Sequence, residues 1–220
     1  MKSKKISELY KLRYSETNLA KKNKIWKLIC SNFFQRYIPH KNIILELASG
    51  HGEFINNIKG SKKISIDINK DVKNYLDSNV IFYESDASRI NKHIKYKVDT
   101  VFVSNFLEHL KSREELETFF RAVKDVLKKD GSFIILGPNL RYQPGKYWDY
   151  YDHYLGLTHL SLTEALELNG FQISLCLDKF LPHADKGKKL PHPFFVWLYL
   201  KLPFAWKIMG KQFFVIANPK

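Results

Sequence analysis

Short apolar runs alternate with helix-patterned stretches from residue 43 to the C-terminus, and this alternation constrains the fold more than any other feature. The runs at residues 43–47, 63–68, 80–84, 98–104, 132–136, 171–177 and 212–217 read as strands. The fourth, "VDTVFVS", is near-continuously apolar, as a strand covered on both faces must be. Strands separated by helices imply an α/β fold: a doubly wound, Rossmann-like, seven-stranded and mostly parallel sheet. A single domain over residues 1–220 is expected. It divides into an N-terminal helical cap at 1–40, a core at 41–180, an insertion at 181–210 before the last strand, and that strand at 211–220.

The helices carry their own signals. Residues 6–37 follow a helical pattern broken near Ser15–Asn18, with Trp26, Ile29, Phe33 and Tyr37 on one face and Pro39 ending the segment. Ser112 and Glu115 form a capping-box pair ahead of an apolar stripe of Leu116, Phe119, Phe120, Val123 and Leu127, and Gly131 is expected just past the helix end. A second box is read at Ser161 and Glu164, in a helix stopped by Gly170. Cys30 and Cys176 lie in apolar patterns without metal-ligand spacing and read as buried thiols of a reducing compartment. With neither a signal-peptide pattern nor an apolar stretch long enough to span a bilayer, a cytoplasmic location is expected.

In a sheet of this kind ligands bind beyond the carboxyl ends of the strands. The polar and small residues that invite a role all lie there: Glu46 to Gly52, Asp67, Asp86, Asn105 to His109, and Pro138 onward. The first strand runs into Ala48-Ser49-Gly50-His51-Gly52, a nearly side-chain-free turn that brings backbone against a ligand. The turn lacks the G-x-G-x-x-G order of a dinucleotide site and carries no phosphate-binding lysine.

The acid before this turn, Glu46, with Asp67 and Asp86 after the next two strands, resembles the pattern of class I S-adenosylmethionine-dependent methyltransferases. "VDTVFVSNFLEHL" and "VLKKDGSFIILGPNLRY" resemble the type-11 group. "WKLICSNFFQRYIP", "YWDYYDH", "LTHLSLTEALELNGF" and "LPFAWKIMGKQFFVIA" resemble bacterial members found among polysaccharide-biosynthesis enzymes. The resemblance implies S-adenosylmethionine as cofactor. Glu46, Ala48, Ser49, Gly50 and Gly52 would form its loop, Asp67 and Ile68 its ribose side, Asp86 and Ala87 its adenine side, and Asn105 and Phe106 the turn after the fourth strand. Ala48 stands where the family usually has glycine, and an alanine there is expected to keep a negative φ.

The acceptor side is read from the loop after the fifth strand. A hydroxyl acceptor gains from a general base, and histidine suits neutral pH. His153 is the first choice and His159 the second, with Asp152 orienting the imidazole among Tyr142, Tyr147, Trp148, Tyr150 and Tyr151. Asn105–His109 also resembles an E-x-x-E-H metal site with its first acid replaced by Asn105; Glu108 and His109 could be joined there by His153 or His159. The reading is O-methylation of a saccharide or sugar-linked metabolite in surface-glycan biosynthesis. The alternatives are an RNA methyltransferase and a cofactor-binding but idle partner protein.

A formal charge of +14, from 36 Lys and Arg against 22 Asp and Glu, suits nucleic acid, anionic membranes or phosphorylated substrates, although a Lys-, Asn- and Ile-rich composition also follows from an AT-rich genome. Nucleic acid ranks below a glycan-linked acceptor, because the turn after the fourth strand has no proline and no RNA-binding module is visible. The segment 181–210, with Phe and Trp interleaved with Lys, could form a lid or a dimer contact, or pack as a core helix pair, and residues 191–210 could contact a membrane peripherally. The oligomeric state is open.

Overall fold

The computed structural model describes residues 16–183 and 190–220. The expected helix before Ser15 and the basic run at 186–189 lie outside the described residues. Seven strands form one sheet: β1 (Ile43–Leu47), β2 (Lys62–Asp67), β3 (Val80–Glu84), β4 (Val98–Ser104), β5 (Leu127–Pro138), β6 (Phe171–Leu177) and β7 (Gln212–Pro219), in the order β3-β2-β1-β4-β5-β7-β6. β1 is parallel to β2, β2 to β3 and β4 to β5, whereas β7 runs antiparallel to both β5 and β6. The helices are α1 (Glu16–Asn32), α2 (Glu53–Asn57), α3 (Arg113–Val126), α4 (Pro144–Tyr147), α5 (His159–Leu168), α6 (Pro193–Lys201) and α7 (Pro203–Met209). The expected Rossmann-like architecture is present.

The chain packs as two compact units, one built from the chain up to Asp86 plus the segment closing at Pro203, the other from Ala87–His183 plus Phe204–Lys220. In the first, α1 lies against α2 and α6. Its buried residues Ile25, Ile29, Cys30, Phe33 and Phe34 share this core with Phe54, Ile55, Val196 and Leu200. Phe34 meets Phe54 edge-on at 5.8 Å. β2 is buried along nearly its whole length rather than on alternate residues, as befits a strand paired on both sides. The segment read as an insertion contributes α6, whose Val196 and Leu200 are buried, to this unit.

The second unit is centred on an aromatic cluster in which Phe120, Phe133 and Phe171 lie 5.8–6.3 Å apart. Leu116, Phe119, Phe120 and Val123 are the buried stripe of α3, and the Ser112 hydroxyl caps it by accepting from the Glu115 N–H at 3.3 Å. Glu115 returns to the Lys111 N–H at 2.9 Å rather than to Ser112, so the expected box is half made. The chain is already extended at Leu127. β5 therefore starts five residues earlier than expected, Leu127 pairs with Val98, and Gly131 lies inside the strand instead of capping the helix. A register shift between Val98 and Thr100 absorbs the extra residues, which is why helical spacing misleads there. α5 also begins early. Its cap is Thr158 with Ser161 at the third position, a reciprocal box, and not Ser161 with Glu164. Cys30 is buried as expected, but Cys176 is exposed, on the alternating open face of edge strand β6.

Candidate functional site

The first unit holds the glycine turn. Glu46 is buried, and its Oε2 accepts from the Ile55 N–H at 3.1 Å, tying the end of β1 to the first turn of α2. Burial, reinforced by nearby Glu53, raises this carboxyl well above its ordinary range. The Ala48 N–H reaches the Ile66 carbonyl at 2.8 Å, and the buried Ser49 and Ser65 hydroxyls meet at 2.5 Å. Gly50 and Gly52 take φ of 56° and 70°, where glycine is at ease. Ala48 also takes a positive φ, 52°, contrary to the negative value expected of alanine. The turn needs three left-handed residues in five, and glycine fits that geometry better than alanine. Ala48→Gly is expected to raise stability by about 0.5–1 kcal/mol, the left-handed penalty less the entropy of glycine, read as a small upward shift of the thermal midpoint. An unchanged or lowered midpoint would show that the alanine carries no strain.

Asp67 closes the turn from β2. Its Oδ2 accepts from the Gly50 N–H at 3.1 Å and its Oδ1 from the Asn69 N–H at 2.7 Å. Burial raises its pKa, against the pull of the backbone donors at Asn69 and Gly50. Asn69, which the sequence reading passed over, accepts in turn from the Asp71 N–H at 3.1 Å; its signal was a D-x-N-x-D spacing at a strand end. Ile68 is half-buried and Asp86 exposed. His51 turns its ring onto Tyr75, edge-on at 4.7 Å, within the same unit.

The second unit holds Ala87, which is buried, and the turn after β4. Asn105 is exposed at φ 48°, a conformation asparagine tolerates, and its N–H bonds the Leu136 carbonyl at 2.9 Å. Phe106 packs 5.3 Å from Phe119 and is thus partly committed to the core.

The same turn carries Glu108 and His109, and the loop after α4 comes back to meet them. The Glu108 carbonyl accepts from the Tyr154 N–H at 2.8 Å and the Leu155 N–H at 3.1 Å. His109 Nδ1 lies 2.8 Å from the Asp152 carbonyl and 3.4 Å from its Oδ2. Asp152 therefore addresses His109, a pairing additional to the one expected with His153. The His153 ring stacks on Tyr150 at 4.8 Å, meets Tyr147 edge-on at 4.9 Å, and lies 5.1 Å from His109. Tyr147 is itself fixed, its hydroxyl donating to the Leu155 carbonyl at 2.6 Å.

His159 stands apart from this cluster. Its Nδ1 is 3.0 Å from Asn139 Nδ2. Asn139 also donates to the Asp178 carbonyl at 2.9 Å and accepts from the Arg141 N–H at 3.2 Å, which fixes the orientation of its amide. His159 Nδ1 is therefore an acceptor and Nε2 carries the proton, while burial lowers the ring's pKa. A ring whose basic nitrogen already holds an amide N–H is poorly placed as a general base.

A positive-φ turn without phosphate-binding side chains, followed by a buried carboxylate at the end of β2, fits S-adenosylmethionine. Residues 45–135 match the methyltransferase domain family. No curated protein matches the chain. Among solved structures, the chain is similar to a SAM-dependent methyltransferase from Archaeoglobus fulgidus, at 20% identity over 88% of this chain and 94% of that one, with a TM-score of 0.62. It is also similar to an S-adenosylmethionine-dependent methyltransferase from Clostridium acetobutylicum, at 12% identity over 98% of both chains and a TM-score of 0.60. A glycopeptide N-methyltransferase complexed with S-adenosyl-L-homocysteine matches at 13% identity, 88% and 90% coverage, and a TM-score of 0.60. The family match thus covers residues 45–135 of the 220, and the solved structures share the fold that carries it.

Proposed function

We propose that the chain methylates a hydroxyl oxygen of a saccharide or sugar-linked acceptor. The observation that carries this reading is the His109–Asp152 pair with His153 beside it, at the end of β4 and in the loop after β5. S-adenosylmethionine supplies an electrophilic methyl group; a neutral hydroxyl attacks it poorly, so the protein must take or displace a proton. Hydrogen-bonded through Nδ1 to the Asp152 carbonyl, His109 keeps Nε2 for that task, and Asp152 Oδ2 is near enough to favour the imidazolium that forms. Trp148, Tyr151 and Tyr154 expose aromatic surface in the same loop, suited to the apolar faces of sugar rings. The direct test is to incubate the protein and cofactor with free sugars, lipid-linked saccharides and RNA, and to follow S-adenosylhomocysteine release. Turnover on RNA alone would overturn the reading, as would binding of cofactor without turnover on any acceptor.

A membrane-borne acceptor is supported by α6. Val196 and Leu200 face inward, while Phe194, Phe195, Trp197 and Leu198 are exposed. From Lys186 to the C-terminus the sequence holds Lys186, Lys188, Lys189, Lys201, Lys207, Lys211 and Lys220 and no acid. Exposed Phe and Trp beside lysines are the composition of an interfacial helix. None of the described helices is long and apolar enough to cross a membrane. The protein is expected to co-sediment with phosphatidylglycerol vesicles and much less with phosphatidylcholine, and Phe195→Ser with Trp197→Ser should reduce this severalfold. Equal sedimentation of the double variant would remove α6 from the contact.

A further inference from the structure

The turn after β4 and the loop after α4 bring a carboxylate and two imidazoles to one point. Glu108, His109 and His153 each present a ligand atom, all within 4.8 Å of one another. We infer that these three residues bind a divalent transition-metal ion, which the hydroxyl acceptor then meets as a Lewis acid.

The site is built rather than incidental. Its two segments are fastened together by the hydrogen bonds from Tyr154 and Leu155 to the Glu108 carbonyl. His153 is clamped between the Tyr150 and Tyr147 rings. His109 donates its Nδ1–H to the Asp152 carbonyl, which settles the tautomer and leaves the Nε2 lone pair free for an ion. A backbone carbonyl or carboxylate behind the opposite ring nitrogen is the usual support of a metal-bound histidine. Glu108 is only 3% exposed. A buried carboxylate is costly unless a cation or several donors compensate it, and an ion held by the two histidines would do so.

The donor set selects the ion. Two imidazoles and one carboxylate suit manganese, iron, cobalt or zinc better than calcium or magnesium, which prefer all-oxygen ligands. Three protein ligands leave positions open, as a catalytic site requires and a structural one does not. Ligands about 2.1 Å from a common ion are at most ~4.2 Å apart, so the 4.8 Å span needs only small side-chain adjustments to close on an ion. The ion's charge would lower the pKa of a coordinating hydroxyl, the same task assigned above to the histidines alone. That chemical role rests on the methyl-transfer reading; the binding itself does not.

The test therefore needs neither cofactor nor acceptor. The whole protein, stripped with chelator and dialysed, is titrated with Mn2+, Zn2+ and Co2+ by calorimetry, and the Co2+ form is examined by visible absorption. One equivalent per chain is expected, with cobalt ligand-field bands that Glu108→Gln and His109→Ala shift or abolish. Affinity should fall at least tenfold in each variant and stay unchanged in His40→Ala, an exposed histidine before β1. Thermal melts check that the variants fold; Glu108→Gln, close in shape to the native side chain, serves if His109→Ala does not. Absence of stoichiometric binding overturns the inference, and so does binding that Glu108→Gln leaves unaltered. Methyl transfer that persists in chelator, with the ion bound in its absence, would leave the site standing and refute its catalytic role.

Discussion

Asp67→Ala is expected to weaken S-adenosylmethionine binding ten- to a hundredfold. In the proposed cofactor site the ribose hydroxyls lose a carboxylate acceptor, and hydrogen bonds to charged groups contribute roughly 1.5–3 kcal/mol each. The structure adds a second reason. The Asp67 carboxylate also receives backbone N–H groups, those of Gly50 and Asn69 among them, so its removal leaves these donors without that acceptor and loosens the turn from Ala48 to Gly52. Asp67→Asn separates the two effects: it keeps the shape and one acceptor oxygen while losing the charge, and should fall between wild type and alanine. Calorimetry with the cofactor and with S-adenosylhomocysteine measures both. An unchanged dissociation constant in a folded Asp67→Ala protein would remove Asp67 from the cofactor site.

How far the sequence reveals such roles depends on how local the determining interactions are. β3, β4 and β6 begin and end where their apolar patterns do, because strand burial is written along the strand itself. The start of α5 was misplaced because Thr158 and Ser161 can cap reciprocally as well as Ser161 and Glu164, and composition alone does not choose between them. The conformation of Ala48 was hidden for a different reason. A turn's demand for positive φ is set by where β1 and α2 must sit, and here it overrides the preference of the residue. Glu108 and His109 were legible as candidate ligands, and so was His153. The pairing of Asp152 with His109 was not, since it depends on a loop 43 residues away returning to the end of β4.

His153→Ala should lower methyl transfer by roughly 10²–10⁴ while cofactor affinity stays nearly intact. The reason is placement. His153 sits in the loop after α4, proposed to face the acceptor, whereas the turn and carboxylate that fit the cofactor come from the ends of β1 and β2. His109→Ala should fall in the same range, because the two rings lie 5.1 Å apart, close enough to serve one proton or one ion. Asp152→Asn should cost less: its backbone carbonyl, which holds His109 Nδ1 at 2.8 Å, survives the substitution, and only the carboxylate at 3.4 Å is altered. The double variant His109→Ala/His153→Ala distinguishes a shared task from separate ones. If the rings act as one unit, the double loss should scarcely exceed either single loss; independent roles would multiply them. His159→Ala provides the contrast, with transfer expected to change little because its Nδ1 is held by Asn139. Should His159→Ala abolish transfer while His153→Ala and His109→Ala retain it, the acceptor site lies at the start of α5 and the assignment of the cluster is wrong.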